Sequence, residues 1–131
     1  MKYILMMNTM AVGSQGFDRW SPQEIQAHIA FMIGLNKDLT ASGVLAGAEG
    51  LAFPDEAKVV RAGKNGEPIT DGVFPESKEF LAGFWVVDVE TPEEAYAIAA
   101  RVSAAPGVAG EPLNMPIEVR QVMSGPPEEF A

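Results

Sequence analysis

The sequence predicts a single α+β domain in which two helices alternate with strands in the order β-α-β-β-α-β. Apolar runs of strand length recur along the chain, and two helix-start signatures each follow such a run. An Asn-Gly dipeptide between two short runs predicts a tight hairpin in the middle of the chain. With that hairpin treated as an insertion, the order is ferredoxin-like.

The composition excludes several classes of protein. The chain has 131 residues, 47% of them hydrophobic, which suits one domain with a buried core. It has no Cys, so a disulfide framework, a thiolate metal site and a cysteine nucleophile are excluded, and a single His leaves no material for a His-rich metal site. A net charge of −9 opposes contact with phosphate backbones and anionic membranes. We therefore expect no direct nucleic-acid binding, no membrane association and no metal.

No Gly-rich dinucleotide motif or P-loop is present, and no cofactor is predicted. We expect one domain over residues 1–123 and a flexible acidic tail over residues 124–131. The first apolar run is too short for a signal peptide or a membrane span, so a cytoplasmic protein is expected.

The first half of the chain opens with residues 3–7 (YILMM), which predict a strand buried on both faces. Ser21-Pro22-Gln23-Glu24 is a capping-box signature that starts a helix, and Gly43 is placed to end it after about residue 42. At 100° per residue, His28 and Asn36 fall inside the apolar arc of this helix. The apolar members of that arc are Ile25, Ile29, Met32, Leu35 and Leu39.

The second half continues with short strands over residues 44–51, 57–62 and 67–70. The strongest strand signal, rich in β-branched and aromatic residues, covers residues 83–89. Thr91-Pro92-Glu93-Glu94 repeats the capping signature and opens a helix that runs to about residue 104. A last strand is predicted over residues 117–123. The buried stripe of the second helix is expected to be Ala95, Ile98, Ala99 and Val102.

Two helices can cover only one face of a four-stranded sheet, yet the strongest strand is apolar on both sides. The uncovered face would expose either Phe84 and Val86 or Trp85 and Val87. Such an apolar patch predicts a homodimer with its sheets packed face to face. The alternative is that the acidic tail and the long loops cover the face within one chain.

One segment is more specific than these patterns. Residues 71–84, DGVFPESKEFLAGF, closely resemble DGPFxE[ST]KExLxGF, the signature of the DGPF branch of the YCII-related family. Residues 2–7, 43–51 and 117–123 are similar to the same family, so the resemblance spans nearly the whole chain. Val73 stands where the signature has its Pro.

The resemblance implies a ferredoxin-like fold that assembles as a dimeric α+β barrel. It also implies two functional settings. Some bacterial relatives are associated with extracytoplasmic-function sigma factors, and a few members of the broader family act on chlorinated aromatic compounds. In that family a His–Asp pair is proposed as an active-site dyad. The dyad histidine corresponds to about Met32 here, so the resemblance does not transfer its role to His28.

His28 and Asp71 are the weak catalytic candidates. His28 could act as a general base in a cavity, but we favour a packed histidine satisfied by one backbone or Asn36 hydrogen bond. Asp71 and Gly72 predict a turn in which Gly72 takes a positive φ. The alternative places Asp71 at a pocket rim with Lys78.

The ligand-binding candidates are polar residues on the predicted strands and in the signature. If they converge inside a dimer, they line a cavity for a small polar or aromatic ligand; if they face solvent, they are ordinary surface residues. The sequence thus leaves two functions open. One is a dimeric small-molecule-binding protein or enzyme with a pocket between sheet and partner, and the other is a non-catalytic regulatory module beside a sigma factor. The candidates are Glu49, Arg61, Lys78, Glu118 and Arg120.

Overall fold

The computed structural model describes residues 1–9, 20–72, 80–126 and 129. In this part of the chain, four antiparallel strands form one sheet in the order β2-β5-β1-β6, and β3 and β4 form a separate two-stranded ribbon. This α+β arrangement is compatible with the predicted ferredoxin-like order, with the ribbon as its insertion. The strands are β1 (Lys2–Thr9), β2 (Leu45–Gly50), β3 (Val59–Ala62), β4 (Pro68–Asp71), β5 (Phe80–Asp88) and β6 (Ile117–Gln121), and the helices are α1 (Pro22–Ala41) and α2 (Pro92–Ser103).

Both ends of α1 confirm the predicted signals. The Ser21 hydroxyl accepts a hydrogen bond from the Glu24 backbone N–H at 3.1 Å, and the Glu24 carboxylate accepts one from the Ser21 N–H at 2.8 Å. These two bonds satisfy N–H groups that the first helical turn leaves without a partner. At the other end Gly43 has a φ of +78°, which L side chains rarely adopt, so the helix stops there.

The buried side of α1 differs from the prediction at one position. His28, Leu35 and Leu39 are buried, which confirms that a polar residue lies on the inward side. Ile29, however, is 47% exposed, so its place in the buried arc is wrong. His28 points toward the sheet, and the next residue is rotated by about 100° from it, which carries Ile29 onto the flank of the helix.

The second helix confirms its predicted stripe, since all four expected residues are buried against the sheet. Its start differs in detail from that of α1. The Thr91 hydroxyl accepts from the Glu94 N–H at 3.3 Å, as predicted, but the Glu94 carboxylate accepts from the Glu90 N–H at 2.9 Å. The capping box of α2 is therefore displaced by one residue toward the preceding loop.

The two faces of the sheet are clearly different. Tyr3, Leu5, Trp85 and Val87 are buried in one core with residues of both helices. Their sequence neighbours alternate to the opposite face, where Phe84 and Val86 are only partly buried. Of the two orientations left open by the sequence, the structure thus has Phe84 and Val86 on the face away from the helices. In the single chain β1 is fully buried on one face only, not on both as expected.

In the described part of the chain, neither helix combines the length and the apolarity that crossing a membrane requires.

Gly83 controls how closely β2 approaches the middle of the sheet. It is buried and lies opposite Gly50 in the β2–β5 register. A Cβ atom at Gly83 would lie 3.1 Å from the Glu49 carbonyl oxygen, which is closer than an ordinary carbon–oxygen contact. Glycine therefore permits the pairing that holds β2 against β5 at this point.

We expect Gly83→Ala to destabilise the protein by about 1–3 kcal/mol, because the added methyl group pushes against backbone of the neighbouring strand. Gly47→Ala is the control, since a Cβ atom there meets nothing within 4 Å, and its effect should stay within about 0.5 kcal/mol. Urea unfolding of both variants measures the difference. Equal stability of the two variants would contradict the close approach at Gly83.

Candidate functional site

A cleft of about 230 Å³ lies between α1 and one end of the sheet. The wall from α1 consists of His28, Met32 and Asn36, which are spaced four residues apart and so share one side of the helix. The opposite wall comes from the carboxyl ends of β1 and β2 and the first half of β5. Its residues are Met7, Ala48, Glu49, Gly50, Ala82, Gly83, Phe84 and Trp85.

His28 is both packed and part of the cleft wall. Its side chain is 7% exposed, and its Nδ1 atom lies 3.0 Å from the Pro106 carbonyl oxygen. A carbonyl oxygen only accepts, so Nδ1 carries the proton of this hydrogen bond and the lone pair of the neutral ring is on Nε2. The backbone hydrogen bond expected for a packed histidine is therefore present, and it sets the tautomer of a group that lines the cleft.

The start of α1 is held by two further contacts, one with the segment after α2 and one with Trp20. The Ala109 N–H donates to the Glu24 carboxylate at 2.6 Å. The Trp20 ring meets the His28 ring edge to face, with centroids 5.4 Å apart. A Cβ atom at Gly107 would lie 2.6 Å from the end of the Leu113 side chain and 3.5 Å from the Trp20 ring, so glycine leaves room for both side chains here. These contacts hold the His28 end of α1 in place.

Glu24 carries the clearest electrostatic effect near the site. The hydrogen bond from the Ala109 N–H, followed by that from the Ser21 N–H, holds the pKa of the Glu24 carboxyl below its ordinary value of 4.5. Both bonds favour the ionised form, and the position at the start of a helix favours negative charge as well. The Glu24 carboxylate therefore stabilises the start of the helix and its contact with the loop after α2.

Asn36 and Trp85 form the hydrogen bond at the centre of the cleft. The Trp85 Nε1–H donates to the Asn36 Oδ1 atom at 2.8 Å. Because an indole N–H only donates, this contact assigns the Asn36 oxygen to Trp85 and leaves its Nδ2 group as a donor. The sequence allows Asn36 as a hydrogen-bond partner of His28, but its partner in the structure is Trp85. The one sequence signal for a polar contact at this point is the position of Asn36 within the apolar arc of α1.

The remaining wall residues give the cleft its mixed character. Met7 and Met32 supply thioether surface and Trp85 an aromatic one, while Glu49 and Phe84, which pair with each other on the opposite face of the sheet, border the cleft only at its edge. The cleft thus combines an amide donor and a histidine with aromatic and thioether walls. Such a combination is typical of sites that orient a small molecule by a few polar groups.

The other ligand-binding candidates do not meet at this cleft. Arg61 is exposed on β3, outside it. Glu118 and Arg120 are exposed on β6, where the Arg120 Nε atom lies 4.0 Å from Glu118 Oε2. Lys78 lies outside the described residues. In the described part of the single chain, Glu49 is therefore the member of this predicted set that borders the cleft, and Arg61, Glu118 and Arg120 form no cavity with it.

Two features of the predicted turn are missing at Asp71 and Gly72. Asp71 is the last residue of β4 and lies opposite Val59, and its side chain forms no hydrogen bond with a described residue. Gly72 does not have a positive φ, so the expectation that glycine is needed there for its backbone conformation is wrong. Strand pairing extends one residue beyond the predicted end of β4, to Asp71; residues 73–79, which follow Gly72, lie outside the described residues.

A larger groove, of about 920 Å³, lies at the other end of the sheet between the chain start and residues 121–125. The Met1 amine there donates to Asp88 Oδ1 at 3.1 Å and to the Val89 carbonyl at 2.8 Å. Among the described residues, the charged groups of this groove are the Met1 amine, Asp88 and the exposed Lys2, and no histidine lines it. The smaller cleft has the more suitable chemistry. Within the described residues, no three His, Cys, Asp or Glu side chains are grouped so that they could hold a metal ion.

The fold and the cleft define a small α+β domain with a partly enclosed site beneath its first helix. The chain matches the family model of the YCII-related domain over residues 1–111, and it therefore belongs to the YCII-related family. Among curated proteins, none matches the chain.

We expect Glu24→Gln to lower the free energy of unfolding at pH 7, because the amide lacks the charge that the Ala109 and Ser21 N–H groups stabilise. Since the folded protein lowers the pKa of Glu24, this stabilisation is present above the ordinary value and is lost as pH falls through the lowered pKa. The difference between the wild type and the variant should therefore shrink in acid.

The measurement is urea unfolding from pH 7 to pH 3. Glu94→Gln is the matched control, because Glu94 occupies the same position in α2 but binds only the adjacent loop. A Glu24→Gln difference that stays constant down to pH 3 would contradict the assignment.

Proposed function

We propose that this protein binds a small molecule in the cleft between α1 and the sheet. The observation that carries the proposal is the Asn36–Trp85 hydrogen bond, which orients an amide donor beside an aromatic wall. Buried polar side chains without a binding role are more simply replaced by apolar ones, since a hydrogen-bonded pair and an apolar pair of the same shape are nearly equal in stability.

The size and walls of the cleft suggest the class of ligand. A volume of about 230 Å³ is below the usual range for drug-sized molecules, which starts at about 300 Å³. A small polar or aromatic molecule matches these dimensions, with a ring against Trp85 and a hydrogen-bond acceptor toward Asn36 Nδ2.

The position of Met32 supports the same cleft as the working site. The family resemblance places the dyad histidine at about Met32, which lies one helical turn after His28 in the same wall. A ligand in contact with Met32 is thus also close to the His28 side chain. If the bound molecule is a substrate, His28 is the residue of this wall that can transfer a proton to or from it.

We also infer that the chain belongs to the DGPF branch. The inference rests on residues 71–84, and their last members contribute to the cleft: Ala82, Gly83 and Phe84 line it. Gly83 permits the close approach of the Glu49 backbone, which supplies a physical reason for the Gly-Phe pair of the signature. Residues 73–79 of the signature lie outside the described residues.

We expect small acids, phenols and lactones that bind the cleft to raise the melting temperature. A ligand at 100 times its Kd contributes about 2.7 kcal/mol, which corresponds to a rise of several degrees. In Ala48→Leu the larger side chain fills the cleft, so the rise should be lost while the fold is kept. Ala46→Leu is the control, because Ala46 is an exposed residue of the same strand outside the cleft.

The outcomes of this screen separate the two functions left open by the sequence. A rise in melting temperature that persists in Ala48→Leu would show that the ligand binds outside the cleft. No shift with any of these compounds would favour the alternative, a regulatory module without a small ligand.

We further propose that the protein is a homodimer that packs the sheet faces remote from the helices. Phe84 pairs with Met6 and Val86 pairs with Ile4 on this face, so four apolar side chains form its centre. Glu49 lies beside Phe84 on one edge strand, and Arg120 lies beside Ile4 on the other. An apolar centre with charged edges is the usual composition of a protein interface.

We expect Phe84→Asp to shift sedimentation from the mass of two chains to the single-chain mass of 14.0 kDa, because a buried charge without a partner costs several kcal/mol. Trp85→Asp should instead unfold the protein, since Trp85 is in the core. Tyr96→Asp, at a 54% exposed aromatic on α2, is the control and should leave the mass unchanged. A wild type that sediments as a single chain at micromolar concentration would contradict the proposal.

A further inference from the structure

A short hairpin over residues 105–113, after α2, contacts the first two turns of α1. Its two sides meet in an isolated antiparallel bridge between Pro106 and Pro112. The Leu113 N–H donates to the Ala105 carbonyl at 2.9 Å and closes the base of the hairpin. We refer to this hairpin as the clip.

The tip of the clip has a backbone conformation that its own sequence does not favour. Ala109 has a φ of +58° and Gly110 has a φ of +75°. The Glu111 N–H donates to the Val108 carbonyl across them at 3.1 Å. Two consecutive positive φ values are what a type I′ turn requires, and Asn-Gly is the pair that such a turn prefers. Alanine rarely adopts this left-handed conformation, so a contact outside the turn is needed to hold Ala109 in it.

Glu24 on α1 supplies that contact. Its Oε2 atom accepts from the Ala109 N–H at 2.6 Å, whereas its Oε1 atom accepts from the Ser21 N–H and caps the helix. One helical turn further along α1, the His28 Nδ1 atom lies 3.0 Å from the Pro106 carbonyl oxygen. Residues four apart share one side of a helix, so the clip is attached to α1 at its tip by Glu24 and at its base by His28.

We propose that Glu24 is a positioning residue for His28. Its carboxylate holds the strained tip of the clip, and the clip holds the Pro106 carbonyl that keeps the proton of the neutral ring on Nδ1. Without that carbonyl, either ring nitrogen can carry the proton. Strained backbone persists where surrounding contacts over-determine it, and it is concentrated at functional sites. Because His28 lines the cleft, the importance of this device for binding rests on the proposed function.

Nitrogen NMR of the imidazole tests this directly, because His28 is the single histidine of the chain. At about pH 9, where an ordinary imidazole is neutral, the wild type should carry the proton on Nδ1. Glu24→Ala should transfer part of the population to the Nε2–H tautomer and shift the Nδ1 resonance toward that of an unprotonated nitrogen. Ser21→Ala is the matched control, because it removes the cap hydroxyl that accepts from the Glu24 N–H and keeps the Glu24–Ala109 contact. Its spectrum should match that of the wild type.

A second substitution tests whether strain at the tip is the cause. Asparagine adopts the left-handed conformation more readily than alanine, and position 109 is exposed. Ala109→Asn combined with Glu24→Ala should therefore restore the wild-type nitrogen shifts. Ala109→Asn alone should raise the melting temperature, whereas Ala97→Asn, at an exposed helical position of α2, should lower it because asparagine is a poorer helix former.

Four results would overturn the proposal: wild-type nitrogen shifts in Glu24→Ala; an equal change in Ser21→Ala, which would assign the effect to the helix cap; no recovery in the double variant; or a melting temperature of Ala109→Asn below that of the wild type. If Glu24→Ala does not fold, Glu24→Gln replaces it, because its uncharged amide weakens the same contact and should give a smaller shift in the same direction. None of these measurements uses a ligand, so their failure is distinct from a failure of the small-molecule site, which the melting-temperature screen tests.

Discussion

The structure depends on the hydrogen bonds of two polar side chains that α1 directs toward the core. His28 and Asn36 are eight residues apart on the inward side, and a polar group left there without a partner would cost about 1–3 kcal/mol. Asn36 accepts from the Trp85 indole in the sheet, and His28 binds the Pro106 carbonyl after the second helix. The helix is thereby held at two points by two different segments. The cleft lies between those points, so the bonds that satisfy the helix also shape the site.

Close packing is the second constraint, and glycine allows it at two positions. Gly83 lets the β2 backbone lie against β5, and Gly107 lets the side chains of Leu113 and Trp20 pack beside the loop after α2. The first contact sets the position of the Glu49 backbone at the edge of the cleft. The second fixes the loop whose Pro106 carbonyl sets the tautomer of His28. A methyl group at Gly83 would therefore press on the β2 wall of the cleft, whereas one at Gly107 would press on the Leu113 side chain.

Local signals predicted the elements well, because the groups that determine an element's ends are close in sequence. Ser21 and Glu24 are three residues apart, and Gly43 follows directly on the helix that it ends. The site was predictable only in part. The polar positions of His28 and Asn36 were visible in the helical arc, but their partners lie 78 and 49 residues away and no local pattern points to them. Gly72 shows the opposite failure, since the positive φ that an Asp-Gly pair favours is not found there.

β5 connects the cleft with the face remote from the helices. Successive side chains of a strand point to opposite faces, so Trp85 packs beneath α1 while Phe84 turns toward the other side. Phe84 also lines the cleft at the edge where the two surfaces meet. Any displacement of this part of β5 therefore moves both surfaces together, because the backbone between adjacent residues is short and stiff. Within one strand, the signature pair Gly83-Phe84 serves both surfaces: its first residue sets the distance to β2, and its second contributes the aromatic ring that the outer face presents.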